Sequence, residues 1–222
     1  MEIQVLQNIF EANIQKAEEI KKLLSNKKVY MIDIMSSPGS GKTTITDNII
    51  AHLKPYYNIA LIEGDMETTK DSEKLAKYGI PIIQIETKLF GGACHLESSW
   101  IMGCLEQFNL NEIDVVIIEN IGNLVCPAEF ELGEDERIVV LSITEGEDKP
   151  VKYPLMFNSS QTLLINKIDL LPYLDFDMDE LSENIKRTNP TMEIFKVSGK
   201  TGEGMDGFLN ALKRRIKAKI GK

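Results

Sequence analysis

The sequence predicts a doubly wound α/β domain with a mostly parallel sheet and helices on both of its faces. Apolar runs rich in β-branched residues alternate along the chain with segments of helical periodicity. Several of these runs are continuous rather than alternating, which is typical of parallel strands covered on both faces. A glycine-rich turn also links the first of these runs to a helical segment, as in phosphate-binding folds.

The first predicted element is an amphipathic helix over residues 3–24, where apolar residues recur at spacings of three and four. Strands are predicted at Val29–Met35, Ile59–Ile62, Ile82–Ile85, Val115–Ile118, Ile138–Ile143, Leu163–Ile165 and Ile194–Val197. Further helices are predicted near residues 67–78, 95–108, 178–188 and 203–219. We therefore divide the chain into an N-terminal amphipathic helix, residues 1–25, and one α/β domain, residues 26–222. Ligands of such folds bind at the carboxyl ends of the strands.

The composition excludes several classes of function. With 222 residues, of which 43% are apolar, the chain can bury one substantial core. The net charge of −9, from 34 acidic and 25 basic side chains, disfavours nucleic acid or an anionic membrane as a partner. The sequence contains no apolar run of about 18 residues and no signal-peptide pattern, so we expect a cytoplasmic protein. Three cysteines in a reducing compartment favour free thiols or metal ligands over disulfides.

Residues 36–44 match the phosphate-binding loop G-x-x-x-x-G-K-[ST], except that Ser36 stands at the first glycine position. Small residues in this loop allow backbone N–H groups to surround a polyphosphate at a helix N-terminus. Lys42 is expected to neutralise the β- and γ-phosphates, and the Thr43 hydroxyl is expected to bind Mg²⁺. The predicted phosphate-binding residues are Gly39, Ser40, Gly41, Lys42, Thr43 and Thr44.

A second motif, Asn166-Lys167-Ile168-Asp169, follows a predicted strand and indicates which base is bound. The Asp169 carboxylate can accept hydrogen bonds from the N1–H and 2-amino groups of guanine, whereas adenine offers no such donors and would leave it unpaired. Asn166 is expected at the N7/O6 edge of the base, and the Lys167 stem over one face. The alternative, an ordinary Asn/Asp turn, is disfavoured by the upstream phosphate-binding loop. A last base-contacting loop is predicted at Ser198, Gly199 and Lys200.

Two carboxylates at strand ends are expected to complete a site for GTP and Mg²⁺. Asp65 is predicted to bind Mg²⁺, directly or through water, or to orient the attacking water. Glu119 is predicted to act on the metal through its ligands, and the Gly122 N–H to sense the γ-phosphate. Lys42, Asp65 and Glu119 are therefore the predicted catalytic residues. No glutamine is placed obviously to position water, so slow GTP hydrolysis is expected, which suits a molecular switch.

Cys94, His95 and Cys126 are candidate ligands of a second metal. Thiolate and imidazole together suit Ni²⁺ or Zn²⁺ and do not suit Mg²⁺. Cys94 is expected at the start of a helix, where a thiol pKa is lowered. The alternative is that these are small buried structural residues, and the spacing alone leaves both interpretations open. Cys104, among apolar neighbours, is assigned to the core.

Five segments of the chain together closely resemble HypB, the GTPase family that helps to insert nickel into [NiFe]-hydrogenase. These segments are residues 36–44, 63–65, 93–97, 119–127 and 145–149. The resemblance extends from about residue 25 to the C-terminus. It implies that Cys94, His95 and Cys126 form a metal site at a GTP-favoured homodimer interface. It also implies that Lys152 extends toward the nucleotide of the partner subunit.

The same resemblance implies two protein partners, a nickel-delivery accessory protein (HypA-like) and the hydrogenase large-subunit precursor. Some members of the family have an N-terminal cysteine-rich nickel site or a histidine-rich store. This chain has no cysteine or histidine before His52. The α/β domain must therefore bind the metal itself, or a partner must supply the nickel.

The sequence leaves alternatives to a GTP-switched nickel metallochaperone. A urease nickel GTPase shares the nucleotide motifs, although the segments at residues 94–97 and 124–127 favour the hydrogenase family. A GTPase chaperone of a cobalamin-dependent mutase would need no metal site of its own. A GTP-regulated dimerisation module would use the cysteines as structural Zn²⁺ ligands.

Overall fold

A computed structural model of the chain describes residues 2–65 and 70–222. Within these ranges, the strands are β1 (Tyr30–Ser36), β2 (Ile59–Asp65), β3 (Ile82–Glu86), β4 (Val115–Gly122), β5 (Glu136–Ser142), β6 (Thr162–Asn166) and β7 (Glu193–Lys196). The α-helices are α1 (Glu2–Lys27), α2 (Lys42–Leu53), α3 (Lys70–Leu75), α4 (Ser98–Leu105), α5 (Cys126–Glu129), α6 (Lys149–Lys152), α7 (Pro154–Asn158), α8 (Met178–Thr188) and α9 (Met205–Ile220).

The strands form one sheet in the order β3-β2-β4-β1-β5-β6-β7, and every pairing within the described residues is parallel. The first strand, β1, lies near the centre between β4 and β5. The carboxyl ends of all these strands therefore meet at one edge of the sheet. This confirms the predicted doubly wound α/β architecture.

Apolar clusters cover both faces of the sheet. Helices α2 and α9 pack on one face, where Ile49 and Phe208 are fully buried. Helices α1 and α4 pack on the other face, where Ile20 and Ile101 are fully buried. Because β-branched side chains point alternately to the two faces, burial on both sides explains why these strands are continuously apolar.

The predicted N-terminal helix is confirmed as α1, and its residues Ala17, Ile20 and Leu24 are fully buried. Ile14, on the same helix, is 49% exposed. The division of the chain at residue 25 stays a prediction. None of the helices in the described ranges is long and apolar enough to cross a membrane.

Two predicted helices differ from the observed ones. Of the helix predicted near 67–78, residues 67–69 lie outside the described residues, and the remainder forms α3 followed by a 3₁₀ turn at Ala76–Tyr78. The helix predicted over 95–108 begins at Ser98. Its boundary is set by α1, since the Ser98 N–H donates to Asn13 Oδ1 and the Ser98 hydroxyl donates to the Asn13 carbonyl, each at 2.8 Å.

Candidate nucleotide and metal sites

The predicted phosphate-binding loop lies between the end of β1 and the start of α2. Gly39 and Gly41 adopt positive φ angles of 77° and 95°, a conformation that side chains with a Cβ rarely adopt. A Cβ at Gly41 would also lie 2.6 Å from Asn166 Nδ2. Glycine is therefore required at Gly41, both by the backbone and by the close approach of the base-reading loop.

The base-reading loop packs directly on the phosphate-binding loop. Asn166 Nδ2 donates to the Ser40 carbonyl at 2.8 Å, and Asn166 Oδ1 accepts from the Gly199 N–H at 2.9 Å. Lys167 Nζ donates to the Gly39 carbonyl at 2.7 Å, so its stem crosses the region between the two loops. Asn166, the last residue of β6, thus connects the phosphate-binding loop to the loop that follows β7.

The predicted guanine-reading carboxylate is held by the last loop. Asp169 Oδ1 accepts a hydrogen bond from the Ser198 hydroxyl at 2.6 Å. This bond fixes the carboxylate and leaves its other oxygen available for a base. Lys200 and Thr44 are exposed at the margins of this region.

The predicted magnesium and γ-phosphate residues meet at the ends of β2 and β4. Glu119 is 2% exposed, and its Oε1 accepts from the Thr43 hydroxyl at 2.7 Å and lies 3.8 Å from Lys42 Nζ. Its Oε2 is buried without a hydrogen-bond partner among the described residues. Lys42, Asp65, Glu119 and Gly122 line a cavity of about 180 Å³. A buried carboxylate oxygen without a partner, beside a hydroxyl and a second acid, suits a hard cation such as Mg²⁺.

A further contact of the phosphate loop was not predicted from the sequence. The Ser37 hydroxyl donates to the Glu145 carboxylate, and Glu145 Oε1 also accepts from the Ser142 N–H at 2.9 Å. Ser142 and Glu145 form a capping box at the end of β5. The S-x-x-E spacing is visible in the sequence and could have identified this structural role of Glu145.

The three predicted soft-metal ligands converge. The two sulfur atoms of Cys94 and Cys126 lie 2.7 Å apart, and these atoms and a ring nitrogen of His95 all lie within 4.8 Å of one another. All three residues are partly buried. Cys94 lies in a turn four residues before α4 begins, so the argument that a helix start activates its thiol was wrong. Cys126 is the first residue of the short helix α5.

The ionisation of this cluster favours a neutral imidazole. The pKa of His95 is lowered by burial, although the nearby Glu97 and Glu129 carboxylates act in the opposite direction. The pKa of Cys126 is raised, first by its hydrogen bond with Cys94 and then by burial and by the charge of Cys94. A neutral imidazole can bind a metal directly, whereas the thiols must lose protons on binding, so metal affinity should increase with pH.

His95 lies beneath an aromatic ring that the sequence did not indicate. Its ring stacks on Phe130 with centroids 3.8 Å apart and planes inclined by 16°. Phe130 in turn contacts Phe10 of α1, with centroids 5.2 Å apart. Both ring nitrogens of His95 are buried, and neither has a hydrogen-bond partner in the part of the chain that the structure describes. A carboxylate oxygen, Glu97 Oε1, lies 3.8 Å from His95 Nε2. Imidazole nitrogens without a hydrogen bond beside two thiols fit a site for Ni²⁺ or Zn²⁺.

The remaining candidates are placed on the surface or in the core. Lys152, on α6, forms an exposed ion pair with Asp148, so its predicted reach into a partner subunit stays a prediction. Cys104 is 5% exposed, which confirms its assignment to the core, and burial raises the pKa of its thiol to about 11.

Comparison with known proteins identifies the family of the chain. The profile of the family described as "CobW/HypB/UreG, nucleotide-binding domain" matches residues 30–196. The chain is 42% identical over 205 residues to the hydrogenase maturation factor HypB of Escherichia coli strain K12, covering 92% of this chain and 70% of that protein. It is 38% identical over 215 residues to the hydrogenase/urease maturation factor HypB of Helicobacter pylori strain J99, covering 95% and 87%. A crystal structure of HypB from Helicobacter pylori in complex with nickel superimposes with a TM-score of 0.86 at 36% identity, covering 94% of this chain and 97% of that one.

Proposed function

Because the chain belongs to the CobW/HypB/UreG family and, within it, to the HypB hydrogenase maturation factors, we propose that it is a GTP-hydrolysing metallochaperone that assists nickel insertion into [NiFe]-hydrogenase. The observation that supports this most directly is the position of the metal cluster. Cys126 follows the end of β4 by four residues, and β4 also supplies Glu119 and Gly122 to the nucleotide site. Strand β4 therefore connects the proposed nucleotide site with the proposed metal site.

In the nucleotide half, the residues of this chain bind and orient GTP. The backbone of the loop around Gly41 surrounds the phosphates, Lys42 offsets their charge, and Asp169 selects guanine. Thr43 and Asp65, with Glu119 behind them, would hold Mg²⁺, which when bound offsets the negative charge that develops on the phosphate oxygens. In the described structure the Thr43 hydroxyl donates to Glu119, which leaves the lone pairs of its oxygen for the ion.

In the metal half, Cys94, His95 and Cys126 bind the nickel that is delivered. We propose that GTP favours a homodimer in which these ligands meet across the interface, and that Lys152 of one subunit reaches the nucleotide of the other. Hydrolysis would relax the ligands and release nickel to a HypA-like accessory protein or to the hydrogenase large-subunit precursor. Zn²⁺ would compete for the same ligands. The setting we propose is the cytoplasm.

The test is a Ni²⁺ titration of the full chain, monitored by thiolate-to-metal charge-transfer absorbance, with GDP and then with a non-hydrolysable GTP analogue. Sedimentation of the same samples reports the oligomeric state. Cys94→Ser and Cys126→Ser should each abolish most of the absorbance. Cys104→Ala is the matched control, because it removes a buried thiol that lies outside the cluster.

Identical nickel curves and identical sedimentation in both nucleotide states would contradict the proposed switch. Metal that raises thermal stability without being released would instead indicate structural Zn²⁺. A chain without nickel absorbance, whose function survives replacement of Cys94 and Cys126, would match the cobalamin-enzyme chaperone. The Helicobacter pylori relative is named a hydrogenase/urease maturation factor, which favours urease as a second enzyme that receives the nickel. Complementation of strains that lack either maturation activity would separate the two clients.

A further inference from the structure

We infer that Asn123 is a positioning residue that joins the two ligand-bearing segments and makes metal affinity depend on the position of the γ-phosphate sensor Gly122. This inference rests on the proposed function and extends it to a residue that is neither a metal ligand nor a nucleotide-binding group. Asn123 is the first residue after β4, directly between the sensor and the short segment that ends in Cys126.

The side-chain amide of Asn123 links the two segments by hydrogen bonds. Its Nδ2 donates to the carbonyl of Cys94 at 3.3 Å, and its Oδ1 accepts from the Val125 N–H at 2.8 Å. One amide therefore contacts the backbone of Cys94 and the turn that connects Cys126 to β4. Groups that orient metal ligands in this way commonly change metal affinity about 10- to 100-fold when they are replaced.

The adjacent residue Gly122 lies tightly against the phosphate-binding loop. A Cβ at Gly122 would lie 3.3 Å from Cα, N and Cγ of Pro38, closer than most real contacts of this kind. The two backbones therefore have little room to move independently. When the loop closes on a γ-phosphate, the displacement of Gly122 must be passed to Asn123, since a peptide bond joins them.

The segment from Asn123 to Cys126 is anchored at a single apolar position. Leu124 is 7% exposed and packs in the core, whereas Val125 is 51% exposed. The side of the turn that faces Cys94 is thus held by the polar contacts of Asn123 and by the approach of the two sulfur atoms. Those contacts decide how far apart Cys94 and Cys126 lie in each nucleotide state.

The experiment compares Asn123→Ala and Asn123→Asp with the wild type in the Ni²⁺ titration, each with GDP and with the GTP analogue. Asn123→Asp retains an oxygen for the Val125 N–H but has no N–H group for the Cys94 carbonyl. Asn189→Ala is the matched control, because Asn189 also accepts from the N–H two residues later and donates to distant carbonyls, those of Phe157 and Ser160, outside both sites. GTP and GDP affinities and thermal midpoints are measured for every variant.

The expected result is that both Asn123 variants bind GTP as the wild type does, yet their nickel affinities with the two nucleotides differ by no more than about twofold. The wild type and Asn189→Ala should retain the full difference. If Asn123→Ala loses the difference but Asn123→Asp retains it, the residue merely shapes the turn and the inference is overturned. It is also overturned if both variants retain the difference. If the wild type itself shows none, the proposed switch fails first, and this is seen before any variant is compared.

Discussion

Gly64, near the end of β2, lies against Leu96, which belongs to the segment of the proposed metal ligands Cys94 and His95. A Cβ at Gly64 would lie 2.9 Å from Cδ2, 3.0 Å from Cδ1 and 3.1 Å from Cγ of Leu96. Leu96 is 1% exposed and follows Cys94 and His95 directly. Gly64→Ala should therefore force Leu96 away from β2 and displace the ligands that precede it.

The size of this effect follows from the crowding. Adding a methyl group to a well-packed core destabilises a protein by about 1–3 kcal/mol. Leu96→Val removes both Cδ atoms, which are the two closest, and should by itself cost about 1 kcal/mol, as the loss of one buried methylene does. The double variant should be about as stable as Leu96→Val alone. This non-additivity corresponds to a coupling energy of about 1–3 kcal/mol.

The assay is urea unfolding of the four proteins, with nickel affinity measured in parallel. With a slope of about 2–3 kcal/mol per molar urea, Gly64→Ala should lower the unfolding midpoint by about 0.3–1.5 M. Its nickel affinity should fall and should recover in the double variant. Gly103→Ala is the control, because Gly103 lies in α4 with open space around it. This change should leave the free energy of unfolding unchanged or raise it. This reasoning would be refuted if the stability losses of the two single variants added up in the double variant and the double variant did not recover its nickel affinity.

Three further predictions concern the base, the imidazole and a buried acid. Asp169→Asn should lower GTP affinity about 100-fold or more and favour xanthosine triphosphate, whose 2-oxo group accepts from the new amide; competition against a fluorescent nucleotide measures this, and unchanged selectivity would exclude Asp169 as the base reader. Phe130→Ala removes the ring stacked on His95 and should weaken nickel binding about three- to tenfold without changing GTP hydrolysis, as charge-transfer titration and phosphate release would show. Burial raises the pKa of Asp33 from 3.8 to about 7, so the folded state keeps a proton that the unfolded chain loses. The free energy of unfolding should therefore fall as pH rises from about 4 to 7, by at most about 1.4 kcal/mol per unit, and Asp33→Asn should flatten this dependence in urea unfolding at several pH values.

The strands and the nucleotide loops could be predicted because their causes are local or follow from topology. A continuous apolar run specifies a strand covered on both faces, whatever its neighbours are. Asn166 and Ser198 lie far apart in sequence, yet each lies at or just after the carboxyl end of a parallel strand, and parallel strands present these ends at one edge. Their convergence on Ser40 and Asp169 therefore required no knowledge of side-chain packing.

The features that the sequence did not predict depend on contacts between loops. The start of α4 is set by Asn13 of α1, which accepts from the Ser98 N–H, so local helical periodicity placed the helix start too early. Phe130 resembles any core aromatic in the sequence, and its role arises because it stacks on His95. Asn123 contacts Cys94 across 29 positions of the chain, and no spacing rule connects an amide in one loop to a carbonyl in another.

The sheet positions the proposed catalytic group Glu119 and the proposed metal ligand Cys126 differently, although both depend on β4. The β1–β4 register is regular up to the pair Ile34 and Glu119, then shifts before Ser36 pairs with Gly122, so β4 has an extra residue within this interval. Asn120 lies in that bulge, where its Nδ2 donates to both oxygens of Asp33, at 3.1 and 3.2 Å. A bulge redirects a strand and ends its regular pairing. Glu119 is therefore fixed between two neighbouring strands, whereas the chain beyond Gly122 leaves the sheet. In the switch that we propose, a metal ligand placed after the bulge would move with the nucleotide while the strand that positions the carboxylate stays in place.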